Sequence, residues 1–132
     1  MQIKVTREIP REILENVFIT ALEGGSNYWY FIGRDAIKII TEAVPNQKGL
    51  SFSEAIFKAV MDHGCELPIR DSDDASEVIG TLSARTMQER LQALSENEDY
   101  SWVIEAELSE EGDACSSDIM FQAMCLGEVI YS

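Results

Sequence analysis

The segment Glu23-Gly24-Gly25-Ser26-Asn27-Tyr28-Trp29 gathers a carboxylate, a hydroxyl, an amide and two aromatic rings within a few residues. Such a set can hold a nucleobase or another flat polar ligand, the rings of Tyr28 and Trp29 taking its faces while Glu23, Ser26 and Asn27 satisfy its polar edge. The same residues equally suit a structural corner. Consecutive glycines let the chain turn sharply after a helix, and Ser26 or Asn27 can hydrogen-bond the backbone groups that the turn frees. The glycines do not form a phosphate loop, because neither GxxxxGK[ST] nor GxGxxG is present. Arg34 and Lys38 are the nearest cations in sequence, placed either to meet an anionic ligand over the corner or to form a solvated helix face.

Other chemistries find fewer parts. His63 and Cys65 make an H-x-C pair, but the P-C-x-x-C that completes a deaminase-type zinc site is missing, so no metal is expected. Asp71-Ser72-Asp73-Asp74 opens like a calcium loop, yet Ser76 and Leu82 stand where an EF-hand needs Gly and Glu. A nucleophile would need a base, and the chain has one histidine and no serine elbow. Catalysis is therefore not expected, and no cofactor is implied.

Charge is the other strong signal. The 132 residues carry a net charge of −14, but residues 1–65 hold seven Lys/Arg against eight Asp/Glu, and residues 66–132 hold three against sixteen. The acidity belongs to the second half. Such a surface repels a phosphate backbone, which argues against direct nucleic-acid binding and for a basic protein surface as partner. Glu96, Glu98, Asp99, Glu105, Glu107, Glu110, Glu111 and Asp113 are the candidate residues of that face. They form either a plain solvated surface or a decoy whose carboxylates imitate phosphates spaced about 3.4 Å apart along a strand.

The elements that must position these groups follow from periodicity. Gln2 to Thr6 alternates polar and apolar as a short strand does. After Pro10, the residues Ile13, Leu14, Val17, Phe18, Ala21 and Leu22 make one apolar helical stripe that ends at Gly24-Gly25. The aromatic run Tyr28 to Ile32 reads as a buried extended segment, and Asp35 to Val44 as a second helix. Ser51 and Glu54 have capping-box spacing ahead of a helix stopped by Gly64. Cys65 to Arg70 and Glu77 to Ser83 form a hairpin around an acidic turn, and Thr86 with Glu89 starts a further helix. Trp102-Val103-Ile104 fits a strand or an anchoring turn, Ser116 or Ser117 caps a last helix stopped by Gly127, and Glu128 to Tyr131 is a terminal strand. The expectation is one α+β domain over residues 1–132, with about four to five helices packed on a small, partly antiparallel sheet.

Three cysteines in odd number, Cys65, Cys115 and Cys125, without a signal-like opening or a membrane-length apolar run, predict a reduced, cytoplasmic protein. The segment Thr20 to Trp29, with Ala-Leu-Glu-Gly-Gly-Ser-Asn-Tyr-Trp at its heart, resembles a family of short proteins encoded by bacteriophages and mobile elements. So does Gln122 to Tyr131, with its Gly-Glu-Val-Ile-Tyr end, although Leu126 replaces the usual aromatic and residues 33–75 match loosely. The resemblance implies a phage or mobile-element origin in a bacterial cytoplasm and carries no catalytic role. Two readings of function result: a binding protein for a host or phage protein through the acidic surface, or a small-ligand, nucleotide-like receptor or sponge at the Glu23–Trp29 corner that blunts host defence signalling.

Overall fold

In the computed structural model, which describes residues 1–132, the first regular element is α1, Arg11–Thr20. Pro10 precedes it with φ −59°, the value its ring imposes, and its carbonyl accepts the first helical bonds from Ile13 and Leu14. Ile13, Val17 and Phe18 are buried along the stripe. Gly24-Gly25 does not cut the helix cleanly: α1 widens into one π-helical turn, Ala21–Gly25, closed by the Ser26 amide on the Ala21 carbonyl at 2.9 Å. Gly25 is needed there for space, since a Cβ would come within 3.0 Å of the Ala114 carbonyl oxygen.

After the two-residue strand β1, Tyr30–Phe31, come α2, Arg34–Ala43, and α3, Phe52–His63. The start of α3 is the expected reciprocal cap, with the Glu54 amide donating to Ser51 Oγ at 3.1 Å and the Ser51 amide to Glu54 Oε1 at 2.9 Å. Gly64 ends it in the left-handed region at φ 65°. Strands β2, Leu67–Asp71, and β3, Val78–Leu82, form the expected hairpin, and β1 adds to β2 to complete a three-stranded antiparallel sheet ordered β1-β2-β3. A register shift lies between Ile69 and Arg70.

The remaining helices are α4, Ala84–Ser95, α5, Trp102–Leu108, and α6, Ala114–Leu126. Helix α6 is the hub: it packs on α1, the π-helical turn, α4, α5 and β3. Every residue from Ser116 to Cys125 is buried. Beside it, Phe18 sets its edge against Phe57 at 4.9 Å and Phe121 at 6.0 Å. No helix is long and apolar enough to cross a membrane.

The α+β class is as expected, with differences inside it. There are six helices, plus the π-helical turn, and the sheet is antiparallel throughout. Gln2 to Thr6 pairs with nothing and lies exposed, because strand alternation becomes a strand only where a sheet edge receives it. Trp102-Val103-Ile104 opens a helix, and Glu128 to Tyr131 is an irregular tail. The caps of α4 and α6 are Ser83 and Asp113, not Thr86 or Ser116/Ser117. Asp113 and Ser116 cap reciprocally: the Ser116 amide donates to Asp113 Oδ1 and the Asp113 amide to Ser116 Oγ. The aromatic run is not buried as a whole: Trp29 is buried, Tyr30 and Ile32 are partly so, and Tyr28 and Phe31 are exposed.

Candidate functional site

The Glu23–Trp29 corner closes on a single buried carboxylate, Asp118, which α6 presents to it. Ser26 Oγ and Trp29 Nε1 each donate to Asp118 Oδ1 at 2.7 Å. The Tyr28 hydroxyl and Gln122 Nε2 donate to Oδ2, the latter at 3.1 Å. A carboxylate has about four lone-pair sites, and these four donors occupy them. One helical turn along α6, Gln122 Oε1 accepts the Ile130 and Tyr131 amides at 2.9 Å, and its Nε2 donates to the Tyr131 carbonyl at 3.1 Å. The irregular C-terminal tail is thereby held without a strand, and Tyr131 stacks on Trp29 at 5.5 Å and 7°.

The expected ligand residues are thus separated by the fold. Trp29 is 1% exposed, ringed by Tyr30, Phe121 and Tyr131, and Ser26 is fully buried, so neither presents a face to solvent. Glu23, Asn27 and one side of Tyr28 remain outside. Burial first, then the hydrogen bond to Asp118, drives the Tyr28 hydroxyl pKa upward. Burial likewise pushes Tyr30 up to about 12, with its hydroxyl donating to the Leu22 carbonyl. Both phenols remain neutral donors at neutral pH, the role that the corner requires of them.

The acidic candidates also divide. Glu107 leaves the surface: it is 8% exposed, and its Oε1 accepts from Ser116 Oγ at 2.7 Å and Ser117 Oγ at 2.9 Å. Gly112 makes room for it, since a Cβ there would lie 2.3 Å from the carboxyl carbon. Asp113 stays exposed but uses one oxygen as the cap of α6, and Glu105 pairs with Arg7. Glu96, Glu98, Asp99, Glu110 and Glu111 are exposed and have no Lys or Arg partner. No cation occurs after Arg90 in the sequence. The Asn97 side chain fixes the loop before α5 by accepting the Asp99 and Tyr100 amides at 2.8 and 3.1 Å.

At the end of that loop sits Trp102, the first residue of α5, with 49% of its surface exposed. Periodicity could not separate it from Val103, which is fully buried next to it. A large aromatic ring half in water, on a loop whose backbone is already fixed, has the character of an interface anchor.

The nucleophilic and basic side chains are dispersed. His63 is exposed at the end of α3, while Cys65 and buried Cys125 have thiol pKa values raised by burial, and Cys115 is exposed. Arg34 lines a surface groove of about 380 Å³ with Phe31, Ile37 and the Asp35–Arg70 ion pair, away from Asp118; Lys38 is exposed on the same helix. Compared with protein-family profiles, curated proteins and solved structures, the chain matches none.

Proposed function

We propose that this chain is a non-catalytic accessory protein of phage or mobile-element type that acts in a bacterial cytoplasm by binding a basic protein surface. The observation that carries the reading is Trp102, half exposed at the end of a loop whose carboxylates Glu96, Glu98 and Asp99 have no Lys or Arg partner. The carboxylates of Glu96, Glu98, Asp99, Glu110 and Glu111 supply long-range attraction to Lys and Arg, which raises encounter rate and selects against acidic surfaces. Charge alone leaves the complex loose and salt-sensitive. Trp102 supplies the desolvated apolar contact that slows dissociation, so the partner is a basic face with an apolar recess.

A receptor for a nucleotide-like ligand at the Glu23–Trp29 corner gains no support from a Trp29 whose ring is already covered. The binding reading also fits the resemblance at Thr20 to Trp29 and Gln122 to Tyr131, which carries no reaction.

The experiment is capture from bacterial lysate at moderate salt, followed by titration of the recovered protein against variants. Trp102→Ala should weaken binding by about tenfold or more, as an interface anchor does. Glu98→Lys with Asp99→Lys should weaken it further, chiefly by slowing association. Capture of nothing at any ionic strength, or a partner indifferent to both changes, would sink the proposal.

A further inference from the structure

A second cavity, of about 340 Å³, opens between α1 and the turn that joins α5 to α6. Glu107, 8% exposed, and Ser117, 3% exposed, are buried in its wall, while Asn16 and Thr20 of α1 and Glu110 and Asp113 of the turn stand exposed at its rim. Three carboxylates thus face one space, and no Lys or Arg lines it. Glu107 is the informative member. Its Oε1 accepts the Ser116 and Ser117 hydroxyls, but Oε2 receives no hydrogen bond from any group of the chain. Every enclosed side-chain oxygen and nitrogen in the protein has a partner, so Oε2 must look into the open cavity. A carboxylate more than nine-tenths buried, with one oxygen unpaired and no ion pair to Lys or Arg, is costly until an opposite charge meets it.

We propose that this cavity is a guanidinium site, filled by an arginine of the basic partner, and in naming that source the inference rests on the binding function above. The carboxylates call for a cation, yet they do not converge as the ligands of a metal ion do. Arginine suits the cavity better than lysine. Its planar fork is the more weakly hydrated cation and carries five N–H donors. The acceptors it would meet are spread around the space: Glu107 Oε2 in the wall, the Asp113 oxygen that does not cap α6, and the side-chain oxygens of Asn16 and Thr20 at the rim. Glu110 adds attraction from the rim without needing contact. Trp102 and Glu107 both belong to the seven-residue α5, about 10 Å long, so one interface of ordinary size can reach both.

The test titrates the full chain with N-acetylarginine methylamide, whose only charge is the guanidinium, and follows amide NMR signals. Those of Gly112, Asp113 and Ser117 should shift saturably in the millimolar range, and the neutral citrulline analogue should leave them in place. Glu107→Gln keeps an oxygen for the two serines and removes the charge; with folding checked by circular dichroism, it should weaken the arginine compound by about tenfold or more. Asn16→Arg, on the exposed rim, should supply the cation from the chain itself, blocking the added compound and raising Tm, and the same change in the Glu107→Gln chain should lose that rise. No saturable shift, equal binding by Glu107→Gln, or a Tm rise that survives the loss of Glu107 would each overturn the site. The captured partner separates this inference from the function it rests on. A partner weakened by Trp102→Ala but indifferent to Glu107→Gln overturns the site and leaves the binding function standing. Saturable binding of the arginine compound with no partner captured supports the guanidinium chemistry and overturns the partner as its source.

Discussion

Asp118 is a charge inside the protein, and its cost is offset only by the four donors that surround it: Ser26, Tyr28, Trp29 and Gln122. Replacing one oxygen by an amide nitrogen keeps the volume and lets a hydroxyl, Ser26 or Tyr28, turn to accept, but sets the new donor against the N–H of Trp29 or Gln122. Asp118→Asn should therefore cost about 3 kcal/mol, the range for losing hydrogen bonds to a charged group and stranding their buried donors. A lowered urea midpoint measures that loss. Trp29 emission reports its cause, because the indole N–H loses its carboxylate; an unchanged midpoint would mean that water satisfies the corner. The sequence contained a signal for this hub that spacing rules pass over. Asp118 is the one charged residue between Asp113 and Glu128, amid apolar residues on α6, and a carboxylate so placed must find donors. What no local rule supplies is that three of those four donors come from a segment about ninety residues earlier.

Among elements, the contact of β3 with α6 leaves the least room. A Cβ on Gly80 would lie 2.4 Å from the Cys125 carbonyl oxygen and 2.8 Å from Leu126 Cδ2. The first of these is backbone in a helix end fixed by Gly127, so it cannot swing aside. Gly80→Ala should force the strand and helix apart at a cost of about 1–3 kcal/mol, the usual range for overpacking. Gly49→Ala, in open space but at φ 80°, makes a useful contrast, as its penalty is one of conformation and not of contact. Thermal denaturation of the two variants, with amide exchange on β3 and α6, separates the effects: only Gly80→Ala should loosen protection at that seam.

The elements also show where local rules succeed. Ser51–Glu54 and Gly64 bound α3 as expected because capping is chemistry among a few neighbouring residues. The hairpin of β2 and β3 was legible for the same reason, its acidic turn being local. The start of α6 was not, because Ser116 takes the reciprocal position of a box whose cap is Asp113. Nor was its burial, because a helix covered on all sides has no apolar stripe to read. The exposure of Trp102 beside buried Val103 likewise depends on how α5 is rolled against α6, which is a tertiary fact.

For the molecule as a whole, salt should act with opposite signs on folding and on binding. The four ion pairs, Arg7–Glu105, Arg11–Asp62, Arg70–Asp35 and Arg85–Glu66, all lie at least partly in water, where such pairs contribute little. Against them stands a net charge of −14 in a body whose radius of gyration is about 14 Å by size scaling. At about 10 mM salt the screening length of roughly 30 Å exceeds that radius, so the carboxylates repel across the whole fold; at 150 mM it falls to about 8 Å. Raising salt over this range should stabilise the fold, by roughly 3–5 °C in Tm if about 1 kcal/mol of repulsion is removed. The same screening should weaken the complex with a basic partner by about tenfold or more. Lowering the pH is not an equivalent manipulation. Hydrogen bonds from Arg70 and Arg11 hold the Asp35 and Asp62 carboxyls below the ordinary range. The stability they contribute is present above the unfolded value and is lost as pH falls through the folded one. Acid therefore relieves repulsion and removes these contacts together, whereas added salt at neutral pH leaves protonation alone. Calorimetric scans and binding titrations across one salt series decide the matter: a Tm that falls with salt would assign stability to the ion pairs, and a salt-independent affinity would take the acidic face out of recognition.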